Sequence, residues 1–521
     1  MKEARRSSRQ GLSVKKEEEL RASLGLLDEL KSIKGNTWLL IWSGVLFYGV
    51  PTAAVGQWGV FYMKDLGMTE TAMGMVSVIS TSVSLIFLIL GGVLADSWGR
   101  KRTLITFDFL SWILGYITLS IAQNPAFFFL YAIIWGTNGA SAVAYGCLFV
   151  ESVPAEHRGK AYAINAILGP LPGLVMPFVG VLLIQHFQAV MGSSAGLVFA
   201  VRLLYLSVAL GVVVGELIRF RGLKETAPLQ PTSGFLPKRY ISVFTAFPPH
   251  LPRYFTHSDL FNKYGEEIRW LWSYRPAFFY WLATAISTFA SIMPALAYPL
   301  FIVDHLDLPL SSIALFASIS TASSLILTLV LTPRLSPSSL KRFMLIGFSV
   351  LPVSSVFFVM ARNSVPLLAL SAAMGGFSSA MAGPAGGGYW ADLIPNQRRA
   401  KVSAVTGVMT NLMVIPAQFV GIMLYQVLPI SPWVLAASLQ LLAFLLVVRL
   451  PQDPLAGQKP SQRALTGHHR AKGPKKRPRL IRYDDDVTRP RDLQGFLKCD
   501  ISALSALIWH GVGGPARLSC L

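Results

Sequence analysis

The residues of this chain best suited to chemistry form a short polar set, Glu151, Pro154, Arg158 and Lys160, with a basic pair, Arg100 and Lys101, upstream. The set returns 241 positions later (392 − 151) as Asp392, Pro395, Arg399 and Lys401, with Lys341 and Arg342 upstream at the same offset. Carboxylates facing guanidinium and ammonium groups make and break ion pairs, so the chemistry on offer is a reversible latch rather than bond cleavage. There is no HExxH, no GxGxxG or GxSxG placed after a strand, and no nucleophile with its base at membrane depth. No catalytic residue, metal or cofactor is expected. The absence of a Walker loop removes self-contained ATP-driven transport. Cys147, Cys499 and Cys520 have no metal-ligand spacing.

The elements that must position these groups are apolar. With 53% hydrophobic and 14% charged residues, the chain cannot be arranged as an ordinary soluble globule. Runs of about twenty apolar residues suffice to cross a bilayer as helices, and these runs are too long and continuous for barrel strands. Helices are predicted near 37–62, 71–95, 103–123, 125–150, 159–186 and 195–218, then 276–303, 309–332, 341–361, 364–390, 401–427 and 431–450, with turns at Asn124-Pro125 and Asn363. The fold class expected is an all-α membrane protein of two pseudo-symmetric six-helix bundles.

The loops on one side hold Arg100, Lys101, Arg102, Arg158, Lys160, Arg334, Lys341, Arg342, Arg398, Arg399 and Lys401; those on the other hold only Lys64 and Arg362. This asymmetry puts both termini and all the repeated motifs in the cytoplasm of a multi-pass protein of the plasma membrane. The net charge of +20 then reads as topology and attraction to anionic lipid, with nucleic acid an improbable partner. Residues 1–35 are an N-terminal cytoplasmic segment containing an amphipathic stretch at Leu20, Leu24, Leu27 and Leu30. Residues 36–218 and 276–450 are the two bundles. Residues 219–275 are a proline-rich linker, with an interfacial helix expected at Trp270, Trp272 and Tyr274 just before the seventh span. Residues 451–521 are a basic, proline-broken tail expected to be disordered.

The loop after the second span reads Gly92-Val-Leu-Ala-Asp96-Ser-Trp-Gly99-Arg100-Lys101-Arg102, which resembles the G-x-x-x-D-x-x-G-R-K motif of the major facilitator superfamily. Glu151-Ser-Val-Pro154-Ala-Glu-His-Arg158-Gly159 is similar to that family's E-x-x-P-x-x-x-R-G element, and Leu223-Lys-Glu-Thr226 is a weaker likeness. The resemblance covers residues 37–450. Its physical content is that Gly92 and Gly99 allow close approach and a tight turn, Asp96 meets the positive end of a neighbouring helix, and Arg100 pairs with Glu151. These pairs are expected to gate transport at the cytoplasmic face. The second half departs from the motif, with Pro333, Pro337 and Leu340 where Gly92, Asp96 and Gly99 stand, so its latch should be weaker or differently built.

In that family the first, fourth, seventh and tenth spans line the central cavity. The resemblance therefore implies substrate contacts at Gln57, Asn138, Tyr145 and Tyr298, with Tyr389 a lesser candidate and Asn411 and Gln418 of the eleventh span joining them. Asp108 and Arg202, inside the third and sixth spans, are the candidates for ion coupling. Asp108 is expected to pair with a loop arginine and Arg202 to snorkel. Gly169-Pro170-Leu-Pro172-Gly173 only partly meets the fifth-span motif of the family's drug antiporters, and the span-four arginine is missing near Trp135, which weighs against proton coupling. The function implied is efflux of a small, largely apolar compound by alternating access, from a monomer whose partners are substrate and lipid. A facilitator or symporter importing a sugar-like solute stands second, and a non-transporting receptor or scaffold is the reading from another class.

Overall fold

The computed structural model describes residues 35–153, 158–226, 258–331 and 338–452. The amphipathic stretch near Leu20 and the basic tail beyond residue 452 lie outside them. Among the described residues, twelve helices are long and apolar enough to cross a membrane. We number them α1 (Asn36–Val55), α2 (Glu70–Gly92), α3 (Arg100–Ser120), α4 (Pro125–Glu151), α5 (Ile164–Met191), α6 (Ser193–Gly222), α7 (Arg275–His305), α8 (Leu310–Leu331), α9 (Leu340–Met360), α10 (Val365–Leu393), α11 (Val405–Val427) and α12 (Ser431–Val448). The helix of α2 continues to Ser97, and that of α11 begins at Asn396.

Local chemistry sets several of the boundaries. Thr69 accepts a hydrogen bond from Ala72 N and starts α2; Asn124 does the same for Ala126 N, with Pro125 at the first helical position of α4. The turn expected at Asn363 is made by Arg362, whose φ of 46° reverses the chain between α9 and α10. The expected interfacial helix is present at Ser258–Ser273, with Trp270 against Tyr274 and the mostly exposed Trp272 stacked on Phe278.

Packing repeats between the halves. Helix α2 lies on α4 as α8 lies on α10, α3 on α6 as α9 on α12, and α1 on α5 as α7 on α11. The halves meet through α2 against α11 and α5 against α8, two contacts that exchange under the same pseudo-twofold relation. With no hydrophobic force between helices in lipid, association rests on close contact, and small residues supply it. A Cβ on Gly139 would lie 2.2 Å from Ser84 O, and one on Gly376 would lie 2.1 Å from Ser320 O. These are the α2–α4 and α8–α10 crossings. Gly99, with φ of 104°, makes the tight turn the motif needs. Gly92 does not provide the close approach expected of it: nothing lies within 4 Å of its would-be Cβ, whereas Gly91 would meet Ala140 Cα at 2.5 Å.

Gly139→Leu is therefore expected to force α2 and α4 apart, costing about 1–3 kcal/mol or more and lowering the melting temperature of the purified protein in detergent. Gly92→Ala should leave that temperature unchanged. Equal behaviour of the two variants in a thermal-unfolding measurement would contradict this account of the crossing.

Candidate transport pathway and buried ionic cluster

The first helix is broken where it passes between the halves. Gly56 adopts φ of 52°, the helical hydrogen bonding lapses, and a short helix resumes at Gly59–Asp65. Gln57 sits in this break and lines two small clefts. One is shared with Gly173 and Pro177 of α5 and Ala314 of α8; the other with Ser77 of α2, Pro299 of α7 and Gln418 of α11. The Oε1 atom of Gln57 is buried without a hydrogen-bond partner. Gln418 accepts from Thr81 Oγ1 at 3.1 Å. Helix α5 is also interrupted here, where Gly169-Pro170-Leu-Pro172-Gly173 gives a short 3-10 turn, Leu171–Leu174, before Met176–Met191 resumes. Gly180 lets α5 reach the backbone of α1: its Cβ would meet Ala54 O at 2.0 Å.

Of the expected cavity residues, the structure thus brings Gln57 and Gln418 together. The others lie elsewhere. Asn138 accepts from Ser141 Oγ at 2.6 Å; Tyr145 stacks on Phe149; Tyr298 packs on Phe358; and Asn411 Nδ2 donates to Gly407 O at 3.1 Å within its own helix. Tyr389 is buried, its hydroxyl donating to Pro451 O.

Among the described residues, the polar contacts joining the halves lie at mid-depth and toward the face opposite the basic loops. Ser318 Oγ donates to Gly173 O at 3.4 Å, Thr71 pairs with Gln426, and Lys64 pairs with Asp304 at 2.7 Å. The Lys64–Asp304 pair is half-exposed and worth at most about 1 kcal/mol.

On the basic face, Arg100 is buried and pairs with Glu151. The segment after α6 ties that pair into its own half. Glu225 accepts from Arg100 N and Lys101 N, each at 3.0 Å, placing a carboxylate at the N-terminus of α3. Thr226 Oγ1 donates to Glu151 at 2.7 Å, Lys101 Nζ donates to Leu223 O, and Asn36 bonds both Lys224 and Ser152. The side chains of Asp96, Pro154, Arg158 and Arg399 lie outside the described residues. The Arg100–Glu151 clasp is thus formed inside one half. In the second half Lys341 Nζ instead donates to Val448 O and Leu450 O, capping α12; Arg342 is exposed, and Asp392 is half-buried near the end of α10. A lysine on a helix C-terminus is a different device from a carboxylate–guanidinium pair.

The densest charge cluster was not foreseen. Asp108 pairs with Arg219 of α6, not with a loop arginine: Arg219 Nη1 reaches Asp108 Oδ2 at 2.8 Å and Glu216 Oε1 at 3.0 Å, all three side chains being buried. Tyr48 of α1 bonds Asp108 Oδ2 at 3.0 Å and also Glu216 Oε1. Arg219 Nε donates to Ser43 at 2.8 Å, and its guanidinium lies over the Tyr48 ring at 4.3 Å and, farther off, the Tyr145 ring at 6.0 Å. Tyr48 falls in a π-helical segment, Gly44–Gly49, and Asp108 directly precedes another, Phe109–Leu114. Such segments are frequent at functional sites. Helix α6 runs on to Gly222, beyond the end expected at 218, because Glu216 and Arg219 are neutralised inside the bundle rather than presented to water. Arg202 Nε donates to Tyr62 Oη at 3.2 Å and Nη2 to Ala122 O, just past the end of α3.

Removing Arg219 would leave two carboxyls buried without a counter-charge, a loss of about 3–5 kcal/mol. We expect Arg219→Met to fail to accumulate as folded protein, and Arg219→Met combined with Asp108→Asn to recover part of the melting temperature. No recovery in the double variant would mean that charge balance is not what the cluster supplies.

Comparison with known proteins agrees with this architecture. The family model described as Major Facilitator Superfamily matches residues 38–262 and 280–509. Two curated relatives, each a multi-drug resistance efflux pump PmrA from a strain of Streptococcus pneumoniae, are 28% identical over 131 residues. The match spans 24% of this chain and about a third, 33%, of the length of those relatives. Similar solved structures include a D-xylose-proton symporter (TM-score 0.57, 16% identity, 80% of this chain and 98% of that one). Another is the inward open conformation of the xylose transporter XylE from E. coli (TM-score 0.55, 17% identity, 81% and 96%). A POT family transporter in complex with a thioalcohol-conjugated peptide is a third (TM-score 0.54, 18% identity, 81% and 94%). At these identities the structures speak for the fold alone.

Proposed function

Because the chain belongs to the major facilitator superfamily, a family of secondary transporters, we propose that it expels a small, largely apolar compound from the cell by alternating access. The observation that carries this reading is the lining of the clefts around Gln57. They are walled mostly by alanine, glycine, proline, isoleucine, leucine and valine; the polar groups of Trp58, Ser77, Thr321 and Gln418 that also line them are already hydrogen-bonded, and the buried polar atom there lacking a partner is the amide oxygen of Gln57. An apolar compound bearing one N–H or O–H donor satisfies such a wall. A sugar would bury many hydroxyls with too few partners, at a cost of some 1–3 kcal/mol each. The partial likeness to a multi-drug efflux pump supports the same direction.

In this reading the basic loops face the cytoplasm of a plasma-membrane protein with both termini inside. Among the described residues, the polar contacts between the halves lie at mid-depth and toward the outer face, which fits a pathway accessible from within. The Arg100–Glu151 clasp, tied by Glu225 and Thr226 to the ends of α1, α3, α4 and α6, keeps the first half rigid as it rocks. Arg100→Ala should accordingly slow turnover more than it weakens binding.

Cells expressing the chain and loaded with a lipophilic fluorescent dye should lose it faster than cells carrying an empty vector; accumulation in place of loss would overturn the efflux reading. Gln57→Leu should weaken binding of dyes that carry a donor by about tenfold, the worth of one hydrogen bond of about 1–1.5 kcal/mol, and spare dyes without one. Equal loss for both classes in a binding titration would remove Gln57 from substrate contact.

A further inference from the structure

The cluster of Tyr48, Asp108, Glu216 and Arg219 lies well apart from Gln57 along the first helix. Tyr48 is nine residues before Gln57, a rise of roughly 13 Å, toward the basic face. Two carboxyls here face one guanidinium. With both ionised, the cluster would hold a net negative charge in a site where the Asp108, Glu216 and Arg219 side chains are each under a tenth exposed. That is costly in an apolar bundle.

The hydrogen atoms can be counted. Arg219 Nη1 has two, one for Asp108 Oδ2 and one for Glu216 Oε1. The Tyr48 hydroxyl has one, yet its oxygen lies within bonding distance of oxygens of both carboxyls. One close oxygen–oxygen approach is left without a hydrogen unless a carboxyl supplies it. Glu216 Oε2 is buried with no partner, so an ionised Glu216 would leave half of its charge without a donor. The remaining polar neighbours cannot remedy this. Ser43 on α1 donates to Leu40 O and accepts from Arg219; Ser141 on α4 spends its hydroxyl hydrogen on Asn138; and Tyr145 on α4 offers its ring to the guanidinium. Among the described residues, Arg219 is the cation that pairs with these carboxyls.

The six-helix packing does not by itself call for carboxyls here. At the repeat offset, Phe289 and Ser349 stand in the second half where Tyr48 and Asp108 stand in the first, and Ser349 merely donates to Ile346 O in its own helix. The same six-helix packing is built there with neither a tyrosine nor a carboxylate at those positions.

We propose that Asp108 and Glu216 hold one exchangeable proton between them, and that this site, carried on α3 and α6 and reported to the substrate cleft through α1, couples the transport cycle to the proton gradient. With the proton bound, the cluster is neutral: Asp108 ionised against Arg219, Glu216 a carboxylic acid. Releasing it leaves one uncompensated negative charge, which favours an arrangement of α1, α3 and α6 that admits water from the basic face. The proton moves between a carboxyl oxygen and water, so no other reactant is needed. The coupling part rests on the transport reading above; the proton-holding part does not.

The test separates the two. On purified, substrate-free protein in lipid nanodiscs, infrared difference spectra across a pH titration should show a protonated-carboxyl band that disappears in Glu216→Gln. Asp108→Asn should shift the pH at which it titrates, and Tyr48→Phe should shift its frequency. A band unchanged in Glu216→Gln, or no titrating carboxyl in the wild type, overturns the proposal whatever the protein transports. In proteoliposomes carrying the lipophilic dye Hoechst 33342, an imposed pH gradient should accelerate dye movement by wild type, and that acceleration should be lost in Glu216→Gln. Should Glu216→Gln fold poorly, Asp108→Asn serves in the same assay. Acceleration that persists in the variants overturns the coupling while leaving the proton site standing.

Discussion

Burying the Arg219 guanidinium is the constraint on which the first half is organised. Taking an ion out of water costs several kcal/mol even after relaxation, and the cost is offset only where partners surround it with good geometry. Those partners arrive from three helices: Ser43 and Tyr48 on α1, Asp108 on α3, Glu216 on α6 itself. The backbone accommodates them. Both α1 and α3 loosen into π-helical turns at this level, and an extra residue per turn rotates the following stretch around the helix axis. Helix α6 keeps its hydrogen bonds as far as Gly222 because its charges are answered inside the bundle.

Charge on the basic face is arranged in a second layer with a different logic. Arg100 and Glu151 are joined by a residue outside the paired motif, Glu225, whose carboxylate sits on the first two amides of α3. A helix N-terminus attracts negative charge, and Glu225 takes that role here. The Leu223-Lys-Glu-Thr226 string, the weakest of the sequence likenesses, turns out to connect the ends of four helices. These bonds fall within one half, and the layer ties the ends of its helices together.

The fold was readable because its determinants are local and repeated. Apolar run length decides that a segment spans, basic residues punctuate the runs, and the 241-residue offset survives in residues whose positions can be compared by subtraction. The site was less readable, for physical reasons. Gln57 could be singled out as an amide in an apolar run, and the structure puts it in a cleft with Gln418. Glu216 and Arg219 were hidden because a glutamate and an arginine near the end of an apolar run look like the water-facing end of a helix. Only the three-residue spacing, which stacks them on one helix face, and Asp108 stranded in the third span hinted otherwise. Gly92 misled in a related way: the motif names it, but the close approach belongs to its neighbour Gly91, because a helix turns by about 100° per residue.

The first helix links these features, and its construction says how. It carries Tyr48 in a widened turn and Gln57 in an outright break, with Gly49 packed against Pro172 between them. A continuous helix would transmit a displacement along its whole length and tie the cluster rigidly to the cleft. A helix loosened at two places can shift its inner part, with the Tyr48 hydroxyl following whichever carboxyl it bonds, while the outer part from Gly59 to Asp65 stays packed against α6 and α7. Helix α7 has a corresponding lapse near Pro294 and a π-helical turn at Phe301–His305, yet it carries a phenylalanine where Tyr48 stands. Both halves therefore carry an interrupted helix at this level, and the one in the first half bonds a buried charge cluster where the one in the second carries a phenylalanine.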